Sequence, residues 1–180
     1  MPAVHDSQSD ENALLRKARR GDQQAFAALY HAHAKAIHGL AYRLTGNAAS
    51  AEDITQDTFM KMLGFLSGLR NDAPLRPWLK RVAANAAIDR LRREQRFTAQ
   101  ADDDAWPDDD PKPAENVELM GLLQRLPPLA RTVVWLHEME GWSHLELAER
   151  FKRSPSWSKS IVSRALARLR DDLGTGVGND

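Results

Sequence analysis

Apolar residues recur along this chain at helical spacing, and nowhere do they alternate in the two-residue period of a half-buried strand. The first periodic segment is predicted from about Asp10 to Arg20, with Ser9 or Asp10 as N-cap and Gly21 as its stop. Asp22 caps the next, QQAFAALYHAHAKAIHGLAYRL, which Gly46 ends. Phe26, Leu29, Tyr30, Ile37, Leu40, Ala41 and Leu44 form its expected buried stripe. A third helix, capped by Ser50 with Glu52 and Asp53 in its first turn, carries Ile54, Phe59, Met62, Leu63 and Leu66 and ends near Gly68. After the loop LRNDAPLR, the stretch PWLKRVAANAAIDRLRREQR reads as one uninterrupted helix of about five turns. It opens on Pro77, because proline costs little at a first helical position.

The periodicity stops at residues 98–113, where TAQADDDAWPDDDPKP holds six aspartates and three prolines. Such a composition cannot bury enough apolar surface to offset chain entropy, so a flexible acidic linker is expected. Trp106 inside it suits either a loose contact with one of the domains or an anchor on a partner. Periodicity returns over Val117–Leu126, and Pro127-Pro128 open the helix LARTVVWLHEME, which Gly141 closes. Ser143 and Glu146 make a capping box for the short helix HLELAERF. Ser154-Pro155 then start SWSKSIVSRALARLRDDL, with Val162, Ala165, Leu169 and Leu173 on its core side and Gly174 at its end. A short helix, a tight turn and a longer basic helix make a helix-turn-helix. The expected fold is all-α with two helical domains. Residues 1–9 are read as a disordered N-terminus, 10–97 as a helical bundle, 98–113 as the linker and 114–174 as the helix-turn-helix domain.

Charge sharpens this division. Lys plus Arg and Asp plus Glu are both 25, a formal net charge of zero that hides polarity. Residues 1–97 hold fifteen Lys/Arg against ten Asp/Glu, residues 98–118 one against eight, and residues 119–180 nine against seven. Two mildly basic segments flanking an acidic one hint at nucleic-acid contact, and the acidic stretch suits shielding of the basic faces. The chain has no cysteine, which removes disulfides, thiolate metal sites and cysteine nucleophiles. His31, His33, His38, His137 and His144 do not take metal-motif spacing with acids, so they read as surface or interface residues. No catalytic constellation, metal or cofactor is expected. The N-terminus lacks a basic segment followed by an apolar run, and no apolar stretch approaches the roughly 20 residues of a membrane span. A soluble, cytoplasmic protein with no membrane partner is expected.

Two stretches carry candidate chemistry. Asn85, Asp89, Arg92 and Arg96, spaced i, i+4, i+7, i+11, place an amide, a carboxylate and two guanidiniums on one helix face. A face that reads base edges and holds phosphates looks like this, and so does an ordinary solvated face. In a helix-turn-helix the N-terminal residues of the second helix enter the major groove. Here they are Ser156, Trp157, Ser158, Lys159 and Ser160, with Arg153 in the turn before and Arg164 one turn on. Small hydroxyls and a few cations suit close approach to phosphates and base edges.

Three motifs then resemble one family: AEDITQDTF (Ala51–Phe59), PWLKRVAANAAIDRLRR (from Pro77) and LPPLARTVVWLHEMEGWSHLELAERF (from Leu126). In this order, across an acidic linker, they are similar to those of the extracytoplasmic-function (group IV) bacterial sigma factors. The resemblance covers nearly all of residues 10–173. It implies a non-enzymatic, two-domain all-α protein that binds core RNA polymerase and directs it to promoter DNA. Lys159, Ser160 and Arg164 fall where the family has its [KR]-S-x-x-x-R signature for the minus-thirty-five element. Ser156-Trp157-Ser158 replace the usual Gly-Thr-Val, and Ile161 replaces an Arg. Trp157 and Ile161, four apart, suit mutual packing. Asn85 and Asp89 match positions that contact the flipped base of the minus-ten element, and the loop Leu69–Arg76 matches the segment forming its pocket. Asn71, Asp72, Arg76, Trp78, Arg81, Arg92, Arg93 and Arg96 complete that implied face. Asp89 suits either a cytosine amino group or a structural pairing with Arg92 or Arg93. Glu52, Asp53, Gln56, Asp57, Phe59 and Met60 match the surface that binds the polymerase clamp. Many relatives are held by an anti-sigma factor, so such a partner is implied as well. A stand-alone helix-turn-helix regulator and a partner-sequestering protein are the alternatives, and the motif at residues 51–59 favours the sigma factor over both.

Overall fold

A helix leaves its first N–H and last C=O groups unpaired, and in this chain named side chains and turn geometry take them up. The computed structural model describes residues 3–69, 73–97 and 119–175, which form helices and turns without a strand. The helices are α1 (Ala3–Arg19), α2 (Gln23–Thr45), α3 (Ala48–Gly64), α4 (Leu75–Phe97), α5 (Leu119–Gln124), α6 (Pro128–Glu138), α7 (His144–Phe151) and α8 (Pro155–Thr175), with a 3-10 turn at Leu66–Gly68. The acidic linker with Trp106, the Asn71-Asp72 pair, the side chain of Arg96 and the last five residues lie outside the described residues.

Several helix starts differ from the expected ones, each for a local reason. The first helix begins at Ala3 rather than near Asp10, in a stretch with neither glycine nor proline from Ala3 to Arg20. Asp22 does cap α2, its Oδ1 accepting from the N–H groups of Gln24 and Ala25 at 3.0 and 3.1 Å. The cap of α3 is Asn47, not Ser50. Gly46 turns the chain at φ +67°, Asn47 follows in the extended conformation an N-cap needs, and its Oδ1 accepts from Ser50 N–H at 2.8 Å. Ser50 is therefore buried inside the first turn, and Glu52 and Asp53 fall beyond it. Likewise α4 opens at Leu75, two residues before Pro77, because the carboxylate of Glu11 receives the Leu75 N–H at 2.9 Å.

The chain divides into two units, residues 1–42 with 47–86 and residues 43–46 with 87–180. In the first, Leu15 and Ala18 of α1 are buried with Ala25, Leu29, Ile37 and Leu40 of α2, Ile54, Phe59 and Met62 of α3, and Leu75, Leu79 and Ala83 of α4. The α2 stripe thus runs through Ala25 and His33 rather than Phe26 and Tyr30. His33 tolerates the core because its Nε2 is 2.9 Å from the Glu11 carboxylate.

In the second unit, the last residues of α2 and the second half of α4 go with the C-terminal helices. Leu44, Ala87, Ile88 and Leu91 are buried there, as are Val133 and Leu136 of α6, Leu147 and Phe151 of α7, and Ile161, Val162 and Ala165 of α8. Arg43 lies over the Trp135 ring at 5.1 Å, and Leu44 C=O accepts from the Thr132 hydroxyl at 3.0 Å. Gly46 sits at φ +67°, where any other residue is strained, and a side chain there would also displace the guanidinium of Arg131. Leu173, expected on the core side, is exposed in the last turns of α8. The capping box of α7 forms as read: Ser143 Oγ accepts from Glu146 N–H, and the Glu146 carboxylate from Ser143 N–H at 2.8 Å.

A histidine pair braces this unit. His137 donates from Nδ1 to Trp142 C=O at 2.7 Å, and its ring stacks on His144 with centroids 4.1 Å apart. His144 Nδ1 lies 3.0 Å from Ser158 Oγ, tying the start of α7 to the first turn of α8. Burial lowers the His144 pKa below its ordinary 6.5; His137 and Lys159 add to this, and Glu138 opposes it. Just below pH 6.5 the unfolded chain therefore binds this proton more readily than the folded one, so stability falls as the pH is lowered through that region. We expect the urea midpoint to drop between pH 7.5 and 5.5, and His144→Gln to flatten that drop. An equally steep drop in the variant would assign it to other groups.

Candidate nucleic-acid interface

The buried side of α4 is lined by Leu79, Ala83, Ala84, Ala87, Ile88 and Leu91, which leaves the opposite side for polar chemistry. Arg81 and Arg93 are exposed there, while Asn85, Asp89 and Arg92 are half-buried; Arg76 is exposed in the first turn, half a revolution away from Asn85. Trp78, also half-buried, lies parallel to the exposed ring of Phe65, with centroids 6.1 Å apart and planes 6° from parallel. Beside these rings is a cavity of about 240 Å³ whose walls include Leu15, Leu69, Pro74 and Leu75. Nothing in the local sequence pattern marks Phe65 as a partner of Trp78, because the pairing comes from the 3-10 turn that folds one against the other.

Asp89 has a definite partner. Its Oδ2 accepts from Arg150 of α7 at 2.8 Å, and Arg92 lies at 4.0 Å from Oδ1. Of the two intrahelical arginines considered for it, Arg92 is therefore within ion-pair range, but the shorter bond goes to α7. Arg90, outside the expected stripe, pairs with Glu94 one turn on.

In the second unit the turn between α7 and α8 is made by Lys152, a non-glycine residue at φ 56°. Its N–H and that of Arg153 return to the last carbonyls of α7, Arg153 N–H to Ala148 C=O at 2.8 Å. Ser154 Oγ accepts from Trp157 N–H at 3.3 Å and opens α8. Arg153, Ser156, Lys159, Ser160 and Arg164 are exposed, and helical spacing brings the last four onto one side. Ser163 is exposed on that side too; its place four residues after Lys159 is the signal that could have found it.

Two residues assigned to this face turn elsewhere. Ser158 is fully buried, donating its hydroxyl toward Pro155 C=O at 3.0 Å beside His144, so it braces the turn instead of facing solvent. Trp157 is half-buried against Phe151, with ring centroids 5.2 Å apart. Ile161, its suggested partner, is a core residue at 2 % exposure.

A second surface lies between α2 and α3 in the first unit. A groove of about 700 Å³ is walled by Phe26, Tyr30, Lys35 and His38 on one side and by Glu52, Gln56, Phe59 and Met60 on the other. The structure divides the residues of the acidic motif. Glu52, Asp53, Gln56 and Asp57 are exposed and Met60 is 62 % exposed, whereas Phe59 is 3 % exposed and packs on Tyr30 at 4.7 Å between centroids. Phe26 and Tyr30, assigned to the core by period alone, are walls of this groove. Among the described residues no helix is long and apolar enough to cross a membrane, and no group of three or more His, Asp or Glu is placed to hold a metal ion.

Comparison with known proteins agrees with this anatomy. The family model for Sigma-70 region 2 matches residues 29–97, and that for Sigma-70, region 4 matches residues 116–169. The chain is 34 % identical to the RNA polymerase sigma factor CarQ of Myxococcus xanthus, over 89 % of this chain and 95 % of that protein. It is 32 % identical to the ECF RNA polymerase sigma factor SigM of Mycobacterium tuberculosis, over 91 % of this chain and 86 % of the other. Among solved structures, CnrH in complex with the cytosolic domain of CnrY matches 92 % of this chain and 98 % of its own, at 26 % identity and a TM-score of 0.53. With both regions matched in order and relatives aligned over nearly their full length, the chain belongs to the ECF family of RNA polymerase sigma factors.

Proposed function

We propose that this sigma factor engages core RNA polymerase through the α2–α3 groove, captures the minus-ten strand on the outer face of α4, and reads minus-thirty-five duplex with α8. The observation that carries the reading is the solvent-facing row Ser156, Lys159, Ser160 and Arg164, with Arg153 beside it, on the second helix of a helix-turn-helix. Cations and small hydroxyls at that position suit phosphates and base edges. On α4, Asn85 carries an amide, a group suited to bonding an unstacked base, whose Watson–Crick edge only a single strand exposes. Arg76, Trp78, Arg81, Arg92, Arg93 and Arg96 would supply stacking and phosphate contacts, with Asn71 and Asp72 in the loop ahead of them. Asp89 gives Oδ2 to Arg150, which leaves Oδ1 as the oxygen that would accept from a base amino group.

Glu52, Asp53, Gln56, Asp57 and Met60 would form the polar and apolar rim presented to the polymerase, with Phe59 shaping the floor beneath them. The chain catalyses no reaction in this reading, and acts in the cytoplasm with the polymerase. An anti-sigma protein belongs among its partners by analogy with CnrH, whose structure was solved with the cytosolic domain of another protein.

Two substitutions separate the parts. Lys159→Ala and Arg164→Ala are each expected to weaken binding of a minus-thirty-five duplex, Arg164→Ala by about 1–3 kcal/mol if it contacts a base, read by fluorescence anisotropy at fixed salt. Unchanged affinity in both would remove α8 as the reading helix. Asp53→Lys is expected to abolish association with core polymerase in a pull-down while leaving duplex binding by the same chain within the wild-type range. A stand-alone DNA-binding regulator predicts no polymerase association in the wild type at all.

A further inference from the structure

One stripe of α1 is left unused by the reading above. Glu11, Leu15 and Arg19, spaced i, i+4, i+8, share a helix face. Leu15, 1 % exposed, is part of the wall of the 240 Å³ cavity beside Phe65 and Trp78. The charged residues one turn to either side hold the chain segments that border it. Arg19 donates from Nε to Leu66 C=O at 2.8 Å and from its terminal nitrogen to Leu69 C=O, where the chain leaves the 3-10 turn. Glu11 accepts the N–H of Leu75, where the chain enters α4, and its other oxygen is fixed by His33 of α2.

We propose that Glu11 and Arg19 are positioning residues that set the two borders of a pocket for one unstacked minus-ten base; this rests on the promoter reading above. The carbonyls of Leu66 and Leu69 come where a helical turn ends, and the N–H of Leu75 comes where a helix begins, so neither border has a full set of local partners. Side chains 47 to 64 residues away supply them. Leu69, Pro74, Leu75, Phe65 and Trp78 give the cavity apolar and aromatic walls, and its volume lies below the roughly 300 Å³ at which small-molecule sites begin. Such a space suits a single planar ring. A stacking site works only when its walls are held to within about 0.5 Å, which makes α1 part of the recognition apparatus without touching DNA.

The test uses the full chain bound to core polymerase and single-stranded oligonucleotides of the minus-ten element from a promoter located by mapping transcription starts. Each nucleotide is replaced in turn by an abasic one, and the ratio of abasic to intact Kd is read by anisotropy. The wild type is expected to show one position with a ratio of about 5- to 150-fold, the range base–aromatic stacking supplies. In Glu11→Ala and Arg19→Ala that ratio should collapse toward one, with core binding and minus-thirty-five duplex binding kept. Glu11→Gln, whose amide oxygen still accepts from Leu75, should restore it. Ratios retained in both alanine variants would overturn the proposal while leaving the minus-ten reading standing. A proportional loss of every affinity, core binding included, would overturn it by showing a merely structural role. A wild type with no abasic-sensitive position would overturn the minus-ten reading and the proposal together.

Discussion

The carboxylate of Glu11 serves two groups of the first unit at once: Nε2 of the buried His33 imidazole and the N–H that opens α4. A buried polar group without a partner costs about 1–3 kcal/mol, so one side chain on α1 makes both a histidine in the core of α2 and an early start of α4 tolerable. The rotation of α4 follows from its buried stripe. Its alanine-rich side faces the core, and Asn85 and the arginines are carried on the side left over. The point at which α4 begins is thus held by an acid 64 residues upstream.

The second unit is built on a different economy of contacts. Ser158 gives up a place on the outer face of α8 to brace the helix-turn-helix, sitting between His144 and Pro155 C=O. Trp157 packs back on Phe151. Together they explain how the family's Gly-Thr-Val position tolerates Ser156-Trp157-Ser158. The bulkier residue is absorbed by an aromatic contact, the last serine turns inward, and Ser156 stays in solvent. The outer row on α8 is thereby reduced to hydroxyls and two cations, Lys159 and Arg164, with Arg153 in the turn before it, a composition suited to phosphates as much as to bases.

Much of this was legible in the chain because it is local. The capping box of Ser143 and Glu146, the bounds of α7 and the cap at Asp22 all involve partners two to eight residues apart, and they are as the sequence reads. What period alone misplaces are residues whose surroundings come from elsewhere. Phe26 and Tyr30 look like core but wall a groove with Phe59, and His33 looks exposed but is buried on Glu11. Ser50 looks like a cap, yet Gly46 and Asn47 had already set the turn. On the candidate interface, the exposed cations of α8 were readable from the helix-turn-helix pattern. The Asp89–Arg150 ion pair and the hold of Arg19 on Leu66 and Leu69 span 61 and 47 to 50 residues and leave no trace in spacing.

The central claim is that α2–α3, α4 and α8 act together to start transcription at defined promoters. Run-off transcription with core polymerase and the purified chain, on sheared DNA of the source genome with the 5′ ends mapped, tests it most directly. The account predicts discrete starts that appear only when the chain is added, each preceded by a shared pair of sequence elements near minus ten and minus thirty-five. Starts no more frequent or ordered than those of core polymerase alone would contradict it.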